Sequence, residues 1–267
     1  MDIKPDFITF ASGSSGNCYY FGNSESGFLI DAGISARSLK KRLGEFNRDI
    51  SSIKFILVTH AHIDHIKHLP SISEKFSIPV YTSEKVHKAI VFNPFFPQSK
   101  ISGRRVLEKN QTFDAGFVNI TPFVIPHDAD ENLGYYLEFG DYRITVMTDL
   151  GEVTESAIDY CKKSQSVVIE SNYDDQMLIK GGYPDYLKRR ILGGNGHLSN
   201  LSASEAIIKF YHSGLKNIFL CHLSSNNNTP EAAFEASALR LREIGIEPGE
   251  KINLHCLPRR EHRFFEL

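Results

Sequence analysis

The sequence has almost no excess charge of either sign and no long apolar run. Its 267 residues include 30 lysines and arginines against 32 aspartates and glutamates, a formal net charge of -2. This balance excludes a broadly basic protein that coats nucleic acid regardless of sequence, so any nucleic-acid contact must be local. Nowhere do about eighteen consecutive apolar residues occur, so no membrane-spanning helix is predicted. With 41% apolar residues, the chain can still bury a sizeable core.

Paired cysteines, a targeting signal and repeats are also missing. The four cysteines, Cys18, Cys161, Cys221 and Cys256, lie far apart without a Cys-x-x-Cys pair, which is typical of reduced thiols in a cytosolic protein. Charged residues and a proline crowd the first six positions, so we expect no secretory signal peptide. No low-complexity tract and no period of about 20–50 residues is present. We therefore expect a single domain over residues 1–267, located in the cytoplasm.

The hydrophobic pattern predicts more strands than helices. Short apolar runs bounded by turn residues predict strands at 7–10, 18–21, 28–31, 55–59, 80–82, 118–125, 135–139, 144–148, 167–170, 218–221 and 252–255. Helical spacing predicts helices at 35–43, 64–76, 83–91, 154–163, 184–192, 202–213 and 230–244. Ser35 is a predicted N-cap, Ser202 and Glu205 form a predicted capping box, and Pro230 begins the last helix. The mixture predicts sheets covered by helices.

A dense histidine cluster stands where an apolar strand ends and a helical pattern begins. His60, His62, Asp64 and His65 place four potential ligands within six residues. In an extended segment alternate residues share a face, so His60 and His62 point the same way, and the turn into a helix then presents the other two. These groups suit zinc, or iron and manganese where carboxylate and water complete the coordination. The alternative is a polar loop with coincidental histidines, but single buried histidines are ordinary and this density is not.

This cluster resembles His-x-His-x-Asp-His, the first metal motif of binuclear hydrolases of the metallo-β-lactamase superfamily. The resemblance implies a four-layer αββα sandwich of the α/β (α+β) class. It also implies further ligands at later strand ends, which His127, Asp149 and His222 supply in order. In the superfamily pattern, one metal takes His60, His62 and His127, the other takes Asp64, His65 and His222, and Asp149 bridges them. Alone, each later residue would more often be an ordinary hydrogen-bonded polar group; their order favours the ligand role.

A closer resemblance covers almost the whole chain. It rests on Ala11-Ser12-Gly13-Ser14-Ser15-Gly16-Asn17, Pro126-His127-Asp128-Ala129, Thr148-Asp149-Leu150-Gly151, Glu170-Ser171-Asn172-Tyr173-Asp174, Gly196-His197-Leu198-Ser199-Asn200 and His222-Leu223-Ser224-x-x-Asn227-Asn228. These motifs look like the YycJ/WalJ/VicX group, bacterial phosphodiesterases of the metallo-β-lactamase fold described as DNA exonucleases and often encoded beside a cell-wall two-component system. His68 departs from the pattern, since a glycine commonly follows the first motif there.

Two residues are predicted to take part in the chemistry. Two divalent ions would lower the pKa of a shared water, orient the bridging hydroxide for in-line attack and accept charge from the phosphoryl oxygens. Asp64 could also hold the nucleophile's proton. His197 resembles the additional histidine of ribonuclease Z-like phosphodiesterases, which implies stabilisation of the phosphorane or protonation of the departing oxygen. Its alternative role is a hydrogen bond at the start of the following helix.

The predictions for substrate contacts are more open. Ser14, Ser15 and Asn17 either line the rim of the pocket or form a tight hairpin. Asn200 and Asn227 belong to the resembling motifs, and the asparagine run 226–228 either reaches phosphate and sugar oxygens or caps a turn. The basic runs 188–190, 104–105 and 259–260 are candidate contacts to a nucleic-acid backbone, although charge runs are usually solvated. The segment 93–97 could stack on bases but more often such a loop is buried.

Together these features predict a binuclear metal-dependent phosphodiesterase, with DNA favoured over RNA or a small phosphodiester and an exonuclease favoured as the activity. The predicted cofactors are two divalent ions, zinc or manganese, with iron as a further candidate. A thioesterase or other small-molecule metallo-hydrolase of the same fold is the first alternative. The second is a non-catalytic, metal-stabilised regulatory partner of cell-wall signalling, which the complete set of ligands argues against. The sequence predicts neither a membrane association nor a stable protein partner.

Overall fold

The computed structural model describes residues 4–96 and 101–267, which form two mixed sheets of seven strands each. Elements are numbered in chain order. The first sheet contains β1 (Asp6–Ala11), β2 (Cys18–Gly22), β3 (Gly27–Ile30), β4 (Ile53–Leu57), β5 (Val80–Thr82), β6 (Arg104–Val106) and β14 (Arg263–Glu266), in the order β14-β1-β2-β3-β4-β5-β6. Strands β3 to β6 are parallel, and β14, β1, β2 and β3 pair antiparallel.

The second sheet has the same division into a parallel and an antiparallel half. It contains β7 (Phe113–Asp114), β8 (Asn119–Val124), β9 (Leu133–Phe139), β10 (Tyr142–Met147), β11 (Ser166–Glu170), β12 (Asn217–Cys221) and β13 (Asn253–Cys256), in the order β13-β12-β11-β10-β9-β8-β7. Strands β10 to β13 are parallel. Because β8 and β10 are both antiparallel to β9, they run in the same direction and end at the same edge.

The described residues contain nine α-helices. They are α1 (Ala36–Glu45), α2 (Ile63–Ile66), α3 (Leu69–Phe76), α4 (Glu84–Val91), α5 (Glu155–Cys161), α6 (Asp175–Lys180), α7 (Asp185–Leu192), α8 (Asn200–Phe210) and α9 (Pro230–Glu243), with a 3₁₀ turn at Ile50–Ser52. Helices α1, α3 and α4 pack on the first sheet, and α5, α8 and α9 pack on the second. Leu39, Ile72 and Val86 of α1, α3 and α4 are buried with the first sheet, and Ile207 and Leu241 of α8 and α9 with the second.

The core between the sheets is rich in aromatic side chains. Phe7 of β1 stacks on Phe21 with ring centroids 4.6 Å apart and meets Phe219 of β12 edge-on at 4.9 Å, so side chains of the two sheets interlock. The order of layers is helix, sheet, sheet, helix, and the predicted αββα sandwich is confirmed. No helix among the described residues has the length and hydropathy needed to cross a membrane.

The predicted helix boundaries are partly right. Ser35 caps α1 by accepting from the Ser38 N–H, and Pro230 lies in the first turn of α9, as predicted. The helix predicted at 64–76 is instead two helices, because the chain leaves helical geometry at His68 (φ -115°, ψ 4°), and Pro70 lies in the first turn of α3, where a proline is tolerated.

Five further local features differ from the prediction, because the local sequence signal at each is weak. The capping box at residue 202 is wrong, since Ser199 caps α8 by accepting from the Ser202 N–H. The short strands β6, β7 and β14 and the helix α6 were not predicted, because charged residues occupy part of each and leave no apolar run or helical period in the sequence.

Gly33, in the loop after β3, is expected to be intolerant of any side chain. A Cβ there would lie 2.0 Å from the Asp64 carbonyl oxygen and 2.5 Å from the Asn17 nitrogen. We expect Gly33→Ala to lower the free energy of unfolding by about 1–3 kcal/mol through overpacking, measured by urea denaturation. Gly44→Ala in α1 is the matched control, because nothing lies within 4 Å of its added Cβ. The control should be neutral or more stable by about 0.5–1 kcal/mol; equal stability of the two variants would contradict the close approach.

Candidate metal centre

The predicted metal ligands converge at the edge where strands of both sheets end. His60 and His62 follow β4, Asp64 and His65 lie in α2, and His127, Asp149 and His222 follow β8, β10 and β12. Because the strands that deliver them end at the same edge, residues far apart in sequence meet in one cluster.

The side chains form two groups that share one carboxylate. Ligating atoms of His60, His62 and His127 lie within 4.8 Å of one another, and so do those of Asp64, His65 and His222. Asp149 reaches both groups: its carboxylate lies within 4.8 Å of a ligating atom of His60 in the first group, and its Oδ1 is 2.6 Å from His222 Nδ1 in the second. This is the arrangement that a bridging carboxylate between two ions requires.

The donor atoms suit metal ions because several of them have no other partner. Nε2 of His60 and Nε2 of His222 are buried and accept or donate no hydrogen bond within the described part of the chain. Buried polar atoms are nearly always satisfied, so two such nitrogens in one site call for a ligand. Burial, reinforced by neighbouring imidazoles, holds the pKa of His60 well below its ordinary value, so this ring is neutral, the form that binds a metal.

Electrostatics in the second group also favours cations. Burial opposes the charged form of His65 and His222, yet the nearby Asp149 carboxylate raises the pKa of both well above the ordinary value. The pKa of Asp149 is correspondingly lowered, since burial is outweighed by the charges of those two histidines. A buried carboxylate that demands positive partners is a suitable bridging ligand for divalent ions.

The backbone is strained where ligands leave the strands. Asp149 and His222 adopt the left-handed region, with φ of 56° and 53°, and Asp31, which follows β3, has φ of 62°. Such conformations are uncommon for residues other than glycine and cluster at functional sites. Here they turn each side chain abruptly from the end of its strand into the cluster.

Asp31 is a supporting residue that the sequence reasoning missed. Its fully buried carboxylate lies 2.7 Å from His65 Nδ1 and accepts hydrogen bonds from the Thr59 backbone N–H at 2.9 Å and from the Thr59 hydroxyl. This contact fixes the ring of His65 so that its Nε2 faces the carboxylates of Asp149 and Asp64. A carboxylate directly after an apolar strand was the available signal.

Asp31→Asn is expected to weaken metal binding by about 10–100-fold, because loss of a partner that orients a ligating histidine typically has that effect. Competition with a chromophoric chelator measures the affinity. Asp159→Asn, on the exposed face of α5, is the matched control and should bind metal as the wild type does. Unchanged affinity in Asp31→Asn would show that His65 keeps its orientation without the carboxylate.

Glu170 is the second residue that was missed. At the end of β11, its fully buried Oε1 lies 2.8 Å from Nδ1 of His197 and 2.8 Å from Nδ1 of His222, while Oε2 accepts from the Leu150 and Leu198 N–H groups. Glu170 thus joins His197 to a predicted metal ligand. Although burial opposes the charged ring, the Glu170 carboxylate raises the pKa of His197 above its ordinary value.

His197 is held at the wall of the cluster rather than in the helix that follows. Its ring centroid is 5.1 Å from that of His127 and 5.4 Å from that of His222. The loop before it passes closely over the end of α7, since a Cβ on Gly196 would lie 2.1 Å from the Ile191 carbonyl oxygen. The Gly196 carbonyl in turn accepts from His127 Nδ1 at 2.9 Å.

The cluster opens into a cavity of about 220 Å³. Its walls include Ser14, Asn172, Tyr183, Leu187, Arg190, Ile191 and Ser224, together with predicted ligands and His197. Arg190 of α7 reaches across the mouth and contacts the Asp128 carboxylate, whose other oxygen is 3.3 Å from His127 Nε2. The arginine therefore places a cation beside the cluster.

The predicted substrate-binding residues separate into different environments. Ser14 lines the cavity, and the exposed Ser15 lines a neighbouring groove. Asn17 is fully buried and does not lie at the rim: its Nδ2 contacts His65 Nε2 at 2.9 Å and Asp64 Oδ2 at 3.2 Å, beneath the ligands. Asn200 and Asn227 are buried and do not line the cavity, and Asn200 instead donates to Asn228 at 2.9 Å.

The basic runs differ in their distance from the cavity. Of the run 188–190, Arg190 lines it, while the run 104–105 lies in the exposed strand β6 and the run 259–260 lines the neighbouring groove. In the segment 93–97, Phe95 is 70% exposed rather than buried, and Pro97 lies outside the described residues.

Known proteins resemble this chain over most of its length. A family model described as "Beta-lactamase superfamily domain" matches residues 27–222. Exodeoxyribonuclease YycJ of Bacillus anthracis is 33% identical over 249 residues, which cover 93% of this chain and 94% of YycJ. Exodeoxyribonuclease WalJ of Streptococcus pneumoniae is 33% identical over 248 residues, which cover 93% of this chain and 92% of WalJ.

A solved structure supports the fold independently. Zn²⁺-bound PqqB from Methylobacterium extorquens superposes with a TM-score of 0.71 at 15% identity, covering 98% of this chain and all of PqqB. The chain therefore belongs to the metallo-β-lactamase superfamily, in the family that contains YycJ and WalJ, and is a hydrolase of that fold.

Proposed function

We propose that the protein is a binuclear metal-dependent phosphodiesterase that removes nucleotides from an end of DNA. The observation that carries the proposal is the position of His197, which lines the cavity beside His127 and His222 and is fixed by the buried Glu170 carboxylate. A proton donor held at that place serves a phosphodiester, whose departing oxygen needs a proton. The names of YycJ and WalJ, both called exodeoxyribonucleases, support DNA as the substrate.

The proposed cofactors are two divalent ions, zinc or manganese, with iron as a further candidate. One would be held by His60, His62 and His127, the other by Asp64, His65 and His222, with Asp149 between them. When bound, the ions would supply Lewis acidity and an activated water for in-line attack on phosphorus. The orphaned Nε2 atoms of His60 and His222 support this assignment.

The protein's own groups would then manage protons and charge. Asp64 lines the cavity with its Oδ2 3.5 Å from His222 Nε2, where the carboxylate can hold the proton of the attacking water. His197 donates Nδ1–H to Glu170, which leaves Nε2–H available for the phosphoryl or departing oxygen. Arg190, whose side chain is 54% exposed at the mouth, would contact an adjoining phosphate.

A comparison of substrates tests the proposal. The metal-free protein reconstituted with Mn²⁺ or Zn²⁺ should shorten end-labelled linear DNA progressively from an end, and act more slowly on RNA. Circular single-stranded DNA, which has no end, should resist. Hydrolysis of a thioester without any hydrolysis of DNA would overturn the proposal and favour a thioesterase, and binding of metal without hydrolysis of any substrate would favour a regulatory role.

We also propose that residues 1–267 act as one domain in the cytoplasm. The pairing of β14 with β1 supports the first part, since it joins the two ends of the described chain within one sheet. The free thiols of Cys18, Cys161, Cys221 and Cys256 agree with a reducing compartment. Nucleic acid is the proposed partner, and the proposal includes neither a membrane nor a stable protein partner.

A further inference from the structure

A second groove lies beside the metal-binding cavity and shares a wall with it. We call it the arginine groove; it has a volume of about 590 Å³, and its lining includes Ser14, Leu223, Leu257, Pro258, Arg259 and Arg260. Ser14 also lines the metal-binding cavity, and Leu223 stands between His222 and Ser224, both of which line that cavity. The two spaces are therefore separated only by Ser14 and the loop after β12.

Arg259 is fixed at this boundary. Its Nη1 donates to the Ser224 carbonyl oxygen at 2.9 Å, and its Cγ lies 3.4 Å from where a Cβ on Gly13 would be. The backbone is held as well, since the Arg259 carbonyl accepts from the Ser12 N–H, and the Ser12 hydroxyl accepts from the His222 N–H at 2.9 Å. The side chain of Arg259 is thus fixed to the loop after His222, a predicted metal ligand, and its backbone is linked to His222 through Ser12.

The groove is positively charged and has one apolar side. Within the described residues, neither Arg259 nor Arg260 forms an ion pair with a carboxylate, and Glu261 is the acidic residue in the lining. The Arg260 carbonyl accepts from Arg42 Nη2 at 2.9 Å, which places a third cation nearby. A guanidinium with free N–H groups beside leucine and proline side chains suits a phosphate attached to a nucleoside.

We infer that the arginine groove binds the nucleotide next to the scissile phosphate, with Arg259 contacting the neighbouring phosphate. This inference rests on the proposed function. A cavity of about 220 Å³ at the ligands is too small for several nucleotides, so a polynucleotide strand must continue beyond it. The arginine groove continues directly from that cavity and offers a cation at the first step outside.

The experiment places a neutral linkage in the substrate. Oligodeoxynucleotides would carry a single methylphosphonate at the linkage next to the terminal one. One series would carry it near the 5′ end and the other near the 3′ end. Bis(p-nitrophenyl) phosphate would serve as a reference phosphodiester that is too short to reach the groove. The proteins would be the wild type, Arg259→Gln, Arg259→Lys and Arg260→Gln. Arg143→Gln is the matched control, because Arg143 lies near the start of β10, at the opposite end of that strand from Asp149.

For the wild type, the methylphosphonate in one series should lower kcat/KM about 10-fold, the size of a lost charge-assisted hydrogen bond. In Arg259→Gln, kcat/KM for the all-phosphate oligonucleotide, relative to bis(p-nitrophenyl) phosphate, should fall about 10-fold. The same methylphosphonate should then have little further effect. The slope of log affinity for the oligonucleotide against log salt concentration should become shallower by about one, the value expected for one lost phosphate contact. Arg259→Lys should recover part of the loss, and Arg143→Gln should match the wild type.

The possible failures are distinguishable. If DNA is degraded but neither the methylphosphonate nor Arg259→Gln changes kcat/KM, the groove is not a nucleotide subsite and the proposed function stands. If no oligonucleotide is hydrolysed while a thioester is, both are overturned. Should Arg259→Gln lose its fold because the bond to Ser224 is gone, the methylphosphonate series on the wild type still decides the question. A lower kcat/KM for the oligonucleotide in Arg260→Gln, whose side chain is exposed in the groove, would support the subsite as well.

Discussion

Asp64→Ala is expected to lower kcat/KM for every phosphodiester substrate by at least about 10⁴-fold, the upper range for a lost acid–base group. The Asp64 carboxylate faces the cavity, 3.5 Å from His222 Nε2 and 3.6 Å from His65 Nε2. Without the Asp64 carboxylate, the second ion would have only His65, His222 and Asp149 as ligands. Both an ion and a proton acceptor are then lost, so the effect exceeds that of either alone.

The fold should survive this substitution. The Asp64 carbonyl oxygen, which accepts from the Asn17 N–H at 2.9 Å, is unchanged in the variant. What disappears is a side-chain hydrogen bond from Asn17 Nδ2, so the free energy of unfolding should fall by only about 1 kcal/mol. Metal content by elemental analysis should drop from two ions to about one per chain.

The control for this variant is Asp141→Ala in the exposed turn before β10, at the opposite end of that strand from Asp149. It should keep the metal content and kcat/KM of the wild type. Asp64→Asn separates the two roles, because the amide keeps the shape of the side chain but holds a proton poorly. An Asp64→Ala protein with more than about a hundredth of wild-type activity would remove this residue from the proposed mechanism.

The first motif stands out in the sequence because its residues carry two signals at once. His60 and its neighbours combine metal-binding chemistry with a spacing set by strand and helix geometry. His127, Asp149 and His222 carry less by themselves, but each follows an apolar strand, and parallel strands end at a common edge. The resemblance to the superfamily pattern, which implies ligands at later strand ends, singled out these three residues, and the fold brings them together with the first motif.

The supporting residues could not be predicted in this way. Asp31 and Glu170 are single carboxylates at strand ends, without a spacing that distinguishes a buried partner of histidine from a solvated side chain. Only the pairing of strands shows that each faces a ring from a different loop. Asn17 and Asn200 show the same limit, because an asparagine in a polar loop looks the same in sequence whether its amide faces a substrate or a buried neighbour.

His197→Ala is expected to lower kcat/KM for DNA by about 10²–10⁴-fold, the usual range for loss of a general acid, while both ions remain bound. The ring touches Asp149 only at 3.5 Å, and its own hydrogen bond goes to Glu170 at 2.8 Å. Metal content should therefore equal that of the wild type, in contrast to Asp64→Ala. Glu170→Gln should show a smaller loss, because it disturbs the positions of His197 and His222 without removing either ring.

The leaving group reveals which task His197 performs. The p-nitrophenyl ester of thymidine phosphate releases an anion that needs no proton, so a ring that protonates the departing oxygen should matter much less for this ester than for DNA. A ring that stabilises the phosphorane charge should matter equally for both. His68→Ala is the control, since His68 is half-buried at the start of α3 and forms no side-chain cap there. If His197→Ala retains at least a third of wild-type kcat/KM on DNA, the histidine has no catalytic part, and the observation on which the phosphodiesterase proposal depends is lost.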